Sequence, residues 1–269
     1  MTSPLRLGFD DYAETGCCGP IRVLAPEAAA GVLARLDAVR PEDVAPVRHP
    51  WFYKAYLLFT WMDALVRTPA MLDAVERIVG PDILVMSADI WRKTPGETRH
   101  ISWHQDAGYW YLDPPDIATA WLALTEATPE NGCMRFALGT HKLRLVEHEN
   151  TYAPDNMLSH GQTAKIDVAA FAQVDAPLKP GEISLHHALL AHCSGPNRTT
   201  APRVGICIRY LPGAICTMGG PPVSAMVVRG RHSGNLALET PPESDLSVEA
   251  IAQHTDLLEP HAATRYVNF

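Results

Sequence analysis

Basic charge is what this chain has least of. Its 22 Lys and Arg stand against 30 Asp and Glu, a formal net charge of −8. Binding to a nucleic-acid backbone or an anionic membrane needs clustered cations, so neither partner is expected. No apolar run approaches the length of a membrane span, and residues 1–12 have no apolar h-region. The six cysteines, Cys17, Cys18, Cys133, Cys193, Cys207 and Cys216, lack paired metal-finger spacing. That predicts reduced thiols in a cytoplasmic protein, not a disulfide framework. Internal repeats and low-complexity tracts are missing as well. What remains is a 269-residue chain, 47% apolar, with enough material for one core and a small molecule as its natural partner.

The first third reads as helical. Residues 24–39 carry Pro26 in a first-turn position and an apolar stripe of Val32, Leu33, Leu36 and Val39. A second helical stretch is predicted over residues 56–66. A third follows Thr68-Pro69, with Met71, Leu72, Val75, Ile78 and Val79 on one face and Gly80 as its stop. From Ile83 the pattern changes to short strand-like runs at residues 83–93, 101–108, 118–125, 133–138, 181–188 and 203–211, separated by Pro, Gly and Asn turns. Asn131-Gly132 predicts a hairpin, because both residues tolerate positive φ. Helices first and many antiparallel-looking strands after imply an α+β chain built on a β-sandwich or jelly roll. Residues 223–242 read as a long loop that could cover a site in the barrel mouth.

Chemistry concentrates at His104-Gln105-Asp106. On a strand, side chains two residues apart project from the same side, so this imidazole and carboxylate can share one metal ion. Two His and one carboxylate on a single face, with open positions opposite, suit non-haem Fe(II) oxygen chemistry. With twelve His in the chain, roughly one His-x-Asp is expected by composition alone. His254-Thr255-Asp256 is the control. It falls in residues 246–258, where Val248, Ile251, Thr255 and Leu258 recur at helical spacing after the N-cap candidate Ser247. On a helix, positions i and i+2 point roughly 200° apart and cannot chelate one ion. A third ligand for His104 and Asp106 must come from His186, His187 or His192. Arg203 adds a reason for the site: a 2-oxoglutarate co-substrate needs a buried cation for its distal carboxylate, and a planar guanidinium binds a carboxylate bidentately. Strand alternation places Val204, Ile206, Ile208 and Tyr210 on one face of residues 203–211, and Arg203, Gly205, Cys207 and Arg209 on the other. Both Arg are expected to face the cavity.

These residues resemble the phytanoyl-CoA dioxygenase family of Fe(II)/2-oxoglutarate oxygenases. The likeness runs from Tyr12-Ala13-Glu14-Thr15-Gly16 through Lys93-Thr94-Pro95-Gly96 and Trp103-His104-Gln105-Asp106. It continues in Glu130-Asn131-Gly132-Cys133-Met134, Gly139-Thr140-His141 and Pro180-Gly181-Glu182, and ends with the segment from His192 to Asn197 and Arg203. The resemblance implies a double-stranded β-helix (jelly roll, cupin-like) core with N-terminal helices packed on the outside. It implies one oxygenase domain over residues 1–269, with 1–82 mainly helical scaffold, 83–212 the jelly-roll core, and 213–269 a loop and C-terminal helix. Fe(II) would be held by His104, Asp106 and His192, the last selected over His186 and His187 because Arg203 lies eleven residues beyond it. Arg203 and Ser194 would grip 2-oxoglutarate, with Lys93 nearby, and O2 would be the second co-substrate. His141 would be structural. Related halogenases have Ala or Gly in place of the carboxylate ligand, so Asp106 implies hydroxylation of a small molecule instead of chlorination; desaturation, epoxidation or cyclisation would use the same ligands. The chain departs from the family after Asp106, where Tyr109, Trp110 and Tyr111 crowd together and are candidate substrate contacts. Arg209, inward by strand parity, hints at an anionic substrate, with a structural ion pair as the alternative. Residues 148–174 and 213–242 are expected to shape the pocket. Cys193 lacks a base and orienting partner and is not read as a nucleophile. A silent metabolite-binding barrel would have no use for the intact set.

Overall fold

The computed structural model describes residues 2–110, 112–113, 116–219 and 222–261. Twelve strands build its two principal sheets: β1 (Ser3–Pro4), β2 (Cys17–Arg22), β3 (Ile83–Lys93), β4 (Ile101–His104), β5 (Ala118–Ala123), β6 (Met134–Ala137), β7 (Gln173–Ala176), β8 (Glu182–His187), β9 (His192–Ser194), β10 (Arg203–Pro212), β11 (Ser224–Arg229) and β12 (Ala237–Leu238). The larger sheet has the order β12-β11-β3-β10-β5-β8-β2, and the smaller one β1-β7-β6-β9-β4. From β3 to β10 the chain crosses between sheets at nearly every connection, which is the winding of a jelly roll. The double-stranded β-helix is therefore the fold.

Besides a single α-helical turn at Tyr12–Thr15, four longer α-helices occur among the described residues: α1 (Pro26–Ala38), α2 (Thr60–Val66), α3 (Pro69–Val79) and α4 (Val248–Leu258). Pro69 opens α3 at a position that needs no N–H donor, and Gly80, at φ 87°, ends it. The apolar face of α3, with Met71, Leu72 and Val75, packs in one buried cluster with Val204, Ile206, Ile208 and Tyr210 of β10. Each fully buried side chain of that size contributes about 1.5–3 kcal/mol. The Tyr210 hydroxyl donates to the Val66 carbonyl at 2.8 Å, which fixes the sheet against the end of α2. Packing the even-numbered residues of β10 on the helices leaves the odd-numbered ones facing the smaller sheet. That parity creates the interior.

Several expectations need correction. The Asn131-Gly132 turn does not close a hairpin: β5 pairs with β8 and β10, and β6 with β7 and β9, so the turn carries the chain from one sheet to the other. Gly132 is required there. Its φ is 80°, and a Cβ would stand 2.2 Å from the Gly195 carbonyl oxygen. Residues 1–82 are not helical scaffold alone, because β2 forms the edge of the larger sheet beside β8. Nor is 223–242 only a loop: β11 pairs with β3, extending the larger sheet. In α4 the buried face is Ala250, His254 and Leu258, while Val248 is 80% exposed. The stripe rotates because the His254 ring bonds the Tyr53 carbonyl oxygen at 2.8 Å and must turn inward. Asp256 is exposed on the other side, so this second His-x-Asp holds nothing in common.

Candidate metal centre

β4 and β9 are antiparallel neighbours, with His104 directly opposite His192. β4 ends at His104; Gln105 stays extended (φ −115°, ψ 130°), and Asp106 begins a 3-10 turn, Asp106–Tyr109. The single extended residue is enough to keep residues 104 and 106 on one side, although the strand predicted through residue 108 is shorter. One ligand atom from each of His104, Asp106 and His192 lies within 4.8 Å of the others, and no further such group occurs among the described residues. His104 Nε2 is 3.8 Å from Asp106 Oδ1, and the two imidazole centroids are 4.1 Å apart.

The second sphere fixes each donor. His104 Nδ1 faces the Ser102 carbonyl oxygen and His192 Nδ1 the Leu190 carbonyl oxygen, both at 2.9 Å. If those nitrogens carry the protons, both Nε2 lone pairs are free to ligate. Burial, with the neighbouring His104 and His186 rings, holds the His192 pKa well below its ordinary value, so the ring is a neutral ligand. Burial opposes ionisation of Asp106, but the Arg209 cation, with the His104 and His186 rings close by, outweighs it and holds the carboxyl well below the usual range. Thr119 Oγ1 donates to Asp106 Oδ2 at 3.0 Å, and Arg209 Nη2 to Oδ1 at 3.2 Å. Gln105, between the two ligands, is fully buried. Its amide donates to the Arg144 and Leu189 carbonyls and accepts from the Val146 N–H, tying two segments to the ligand turn. Two nitrogens and one carboxylate oxygen, buried and pre-oriented, fit a divalent transition metal such as Fe(II).

Arg203 lies on the same inner face of β10, 1% exposed, with the Trp121 ring 4.6 Å from its guanidinium carbon. Its Nε and Nη1 have no hydrogen-bond partner among the described residues. Burial pushes its pKa down to about 10. A buried guanidinium without an acceptor is costly, and a carboxylate ligand would relieve it. Ser194 lines the same cavity. Lys93 does not: it is fully buried behind Ser194, donating to its hydroxyl at 2.8 Å and to the Ser194 and Gly195 carbonyls. Burial, then the Arg203 cation, push the Lys93 ammonium down to about 7.

The cavity, about 410 Å³, opens from these groups to Trp110, with Tyr53, Trp91 and Met157 among its walls. The side chain of Tyr109, like Tyr111, lies outside the described residues. Arg209 lines the cavity but is not a free anion receptor: Nη1 donates to Asp89 and, at 2.9 Å, to Ser87, while Nη2 holds Asp106. The ion-pair alternative is the one realised. His187 points away, its ring 3.5 Å from the Asp116 carboxylate, and His186 stands behind Asp106, 3.7 Å from Oδ2. Of residues 148–174, Met157, Leu158, Ser159 and His160 reach the cavity; of 213–242, Val223 and Ser224 do.

Thr119, Asp89, Tyr53 and Lys54 were not singled out from the sequence. Strand parity was the available signal for the first two, each a polar residue at an inward position of an otherwise apolar strand. Tyr53 and Lys54 sit in turns before a short 3-10 segment, Ala55–Leu57, where no periodicity marks them.

The sequence profile of the phytanoyl-CoA dioxygenase family matches residues 12–205. A probable alpha-ketoglutarate-dependent hypophosphite dioxygenase of Stutzerimonas stutzeri is 28% identical over 158 residues, 58% of this chain and 54% of that protein. Peroxisomal phytanoyl-CoA dioxygenase of Homo sapiens is 31% identical over 148 residues, 53% of this chain and 43% of that protein. The chain thus spans about half the length of the curated relatives it matches. The apo structure of ThoJ, a non-heme monooxygenase, superimposes with a TM-score of 0.83 at 31% identity, covering 94% of this chain and 95% of that one.

Proposed function

The chain belongs to the phytanoyl-CoA dioxygenase family of Fe(II)/2-oxoglutarate oxygenases, and from that premise we propose that it hydroxylates an unactivated C–H bond of a small molecule, with succinate and CO2 as co-products. The observation that carries the reading is Arg203, a fully buried cation with no acceptor of its own, on the same inner surface as the His104, Asp106 and His192 cluster.

His104, Asp106 and His192 would hold Fe(II), and Arg203 with Ser194 would hold the distal carboxylate of 2-oxoglutarate. When bound, the metal and co-substrate supply the oxidising power drawn from O2. The protein's own share is positional. The backbone carbonyls of Ser102 and Leu190 set the two rings, Thr119 and Arg209 set the carboxylate, and Gln105 locks the turn that carries it. Trp121 under the guanidinium and the apolar walls keep water from Arg203, which strengthens its hold on an anion. The six cysteines are free, in keeping with a reducing compartment such as the cytoplasm. No helix among the described residues is long and apolar enough to cross a membrane.

The test is spectroscopic and then chemical. Anaerobic Fe(II) plus 2-oxoglutarate is expected to give a weak visible charge-transfer band, followed by succinate release once O2 is admitted. Arg203→Ala is expected to keep Fe(II) binding and raise the 2-oxoglutarate requirement. Fe(II) binding without any band on adding 2-oxoglutarate would falsify the chelation on which the reading depends.

A further inference from the structure

Asp89 is a buried carboxylate at the cavity wall whose second oxygen has no partner among the described residues. It projects from the inner face of β3, between the cavity-lining Ser87 and Trp91, and is 6% exposed. Its Oδ2 accepts from Arg209 and lies 3.5 Å from the Ser87 hydroxyl. Its Oδ1 is buried and has no hydrogen-bond partner among the described residues. Arg209 does not supply one: Nη1 is engaged by Oδ2 and Ser87, Nη2 by Asp106 at 3.2 Å, and Nε, also without a partner among the described residues, does not reach Oδ1. A buried acceptor left bare is unfavourable, and a charged one more so. Structures retain such a group where a ligand completes it.

The surroundings define what that ligand looks like. Around Asp89 the cavity is walled by Tyr53, Met86, Trp91 and Trp110, which present aromatic and thioether surface. The Trp110 ring sits 5.3 Å from the Arg209 guanidinium and so borders the same corner. The Arg209 guanidinium alone bridges the Asp89 and Asp106 carboxylates, so a group docked at Asp89 stands close to the metal centre.

We propose that Asp89 Oδ1 is the docking point for an N–H or O–H group of the substrate, a ring-bearing molecule carrying a hydroxyl or an amine and held by its donor against the aromatic wall. The assignment rests on the oxygenase reading above and adds the chemical class of the substrate to it. It also replaces the expectation of an anionic substrate: the cation that suggested one, Arg209, already holds two carboxylates through its Nη atoms, whereas the bare oxygen of Asp89 asks for a donor.

The test uses four probes of similar shape against protein loaded anaerobically with Fe(II) and 2-oxoglutarate: phenethylamine, phenethyl alcohol, propylbenzene and benzylacetone. Quenching of tryptophan emission reads binding, because Trp91, Trp110 and Trp121 line the cavity. The two donor probes are expected to bind about tenfold or more tightly than propylbenzene, as for a hydrogen bond to a charged group. Preference for the amine over the alcohol identifies a charged donor, and the reverse a neutral one. In Asp89→Asn the guanidinium, which only donates, must take the amide oxygen, turning the NH2 group into the cavity. The order is then expected to invert, with benzylacetone, an acceptor, binding above both donor probes. Donor probes that bind no better than propylbenzene, or not at all, or an order unchanged in Asp89→Asn, overturn the proposal. Should the variant not fold, the comparison within the unaltered protein decides alone. The charge-transfer band recorded on the same sample before any probe keeps the two readings apart: its absence strikes the oxygenase, whereas its presence without donor preference strikes only Asp89.

Discussion

Arg203 and Arg209 share one strand and one face, yet their surroundings could hardly differ more. Arg209 is held by two carboxylates and a hydroxyl, and those partners raise its pKa well above the ordinary value despite burial. Arg203 is just as deep, finds no carboxylate, and burial pushes its pKa the other way. Burial alone therefore does not say what a charged side chain is for. The partner list does: the matched cation positions other protein groups, and the unmatched one is reserved for something that arrives.

The comparison can be broken most decisively at Arg209. Arg209→Met leaves Asp89 and Asp106 buried without their shared cation and is expected to cost about 3–5 kcal/mol in denaturant unfolding. Arg203→Met removes a cation that has no acceptor among the described residues and touches only the Trp121 ring, so the ligand-free protein should lose about 1 kcal/mol or less. What it should also lose is stabilisation by 2-oxoglutarate, about 2.7 kcal/mol in the unaltered protein at a hundredfold excess over Kd. Equal destabilisation by the two substitutions would show that both Arg are structural. Gly205→Ala tests the support beneath Arg203: the added methyl would meet Trp121 Cζ2 at 2.2 Å. Displacing that ring is expected to cost about 1–3 kcal/mol and to weaken 2-oxoglutarate binding, measurable by thermal shift with and without ligand. At any one pH near neutrality the smallest effect is at Lys93. Its ammonium titrates at about 7 in the folded chain and near about 10.4 when unfolded. Below pH 7 folding carries the full penalty of burying the charge. Between those values the unfolded chain binds more protons, so stability rises with pH, by at most about 1.4 kcal/mol per unit. Lys93→Met should flatten that slope in denaturant titrations run across the window.

How far the sequence reached follows from which signals are local. Ile83–Lys93 was legible to the residue, because its apolar run is bounded by Gly80-Pro81 on one side and Thr94-Pro95-Gly96 on the other. The inward set Arg203, Cys207 and Arg209 followed from the apolar residues between them. β9 was not legible: three residues carry no period, and only the placement of His192 opposite His104 marks it as a strand. β2 was hidden by its Gly19-Pro20 pair, which reads as a break although the strand pairs with β8 on both sides of it. The ion pairs of Arg209 depend on Asp89 and Asp106, more than a hundred residues away. Strand parity gives the direction of a side chain, and only the pairing of distant strands decides what it meets.

The winding of the barrel has a consequence for the order of events during folding. The proposed ligands come from β4, the turn after it and β9, and the arginine proposed for the co-substrate from β10, three strands of which two lie in one sheet and one in the other. Contacts between residues so distant in sequence form late, because the intervening chain must first be closed into a loop. A nascent chain that has emerged only through β8 holds His104 and Asp106 but neither His192 nor Arg203. Iron therefore cannot template this barrel; the barrel has to be nearly finished before there is a place for iron to go.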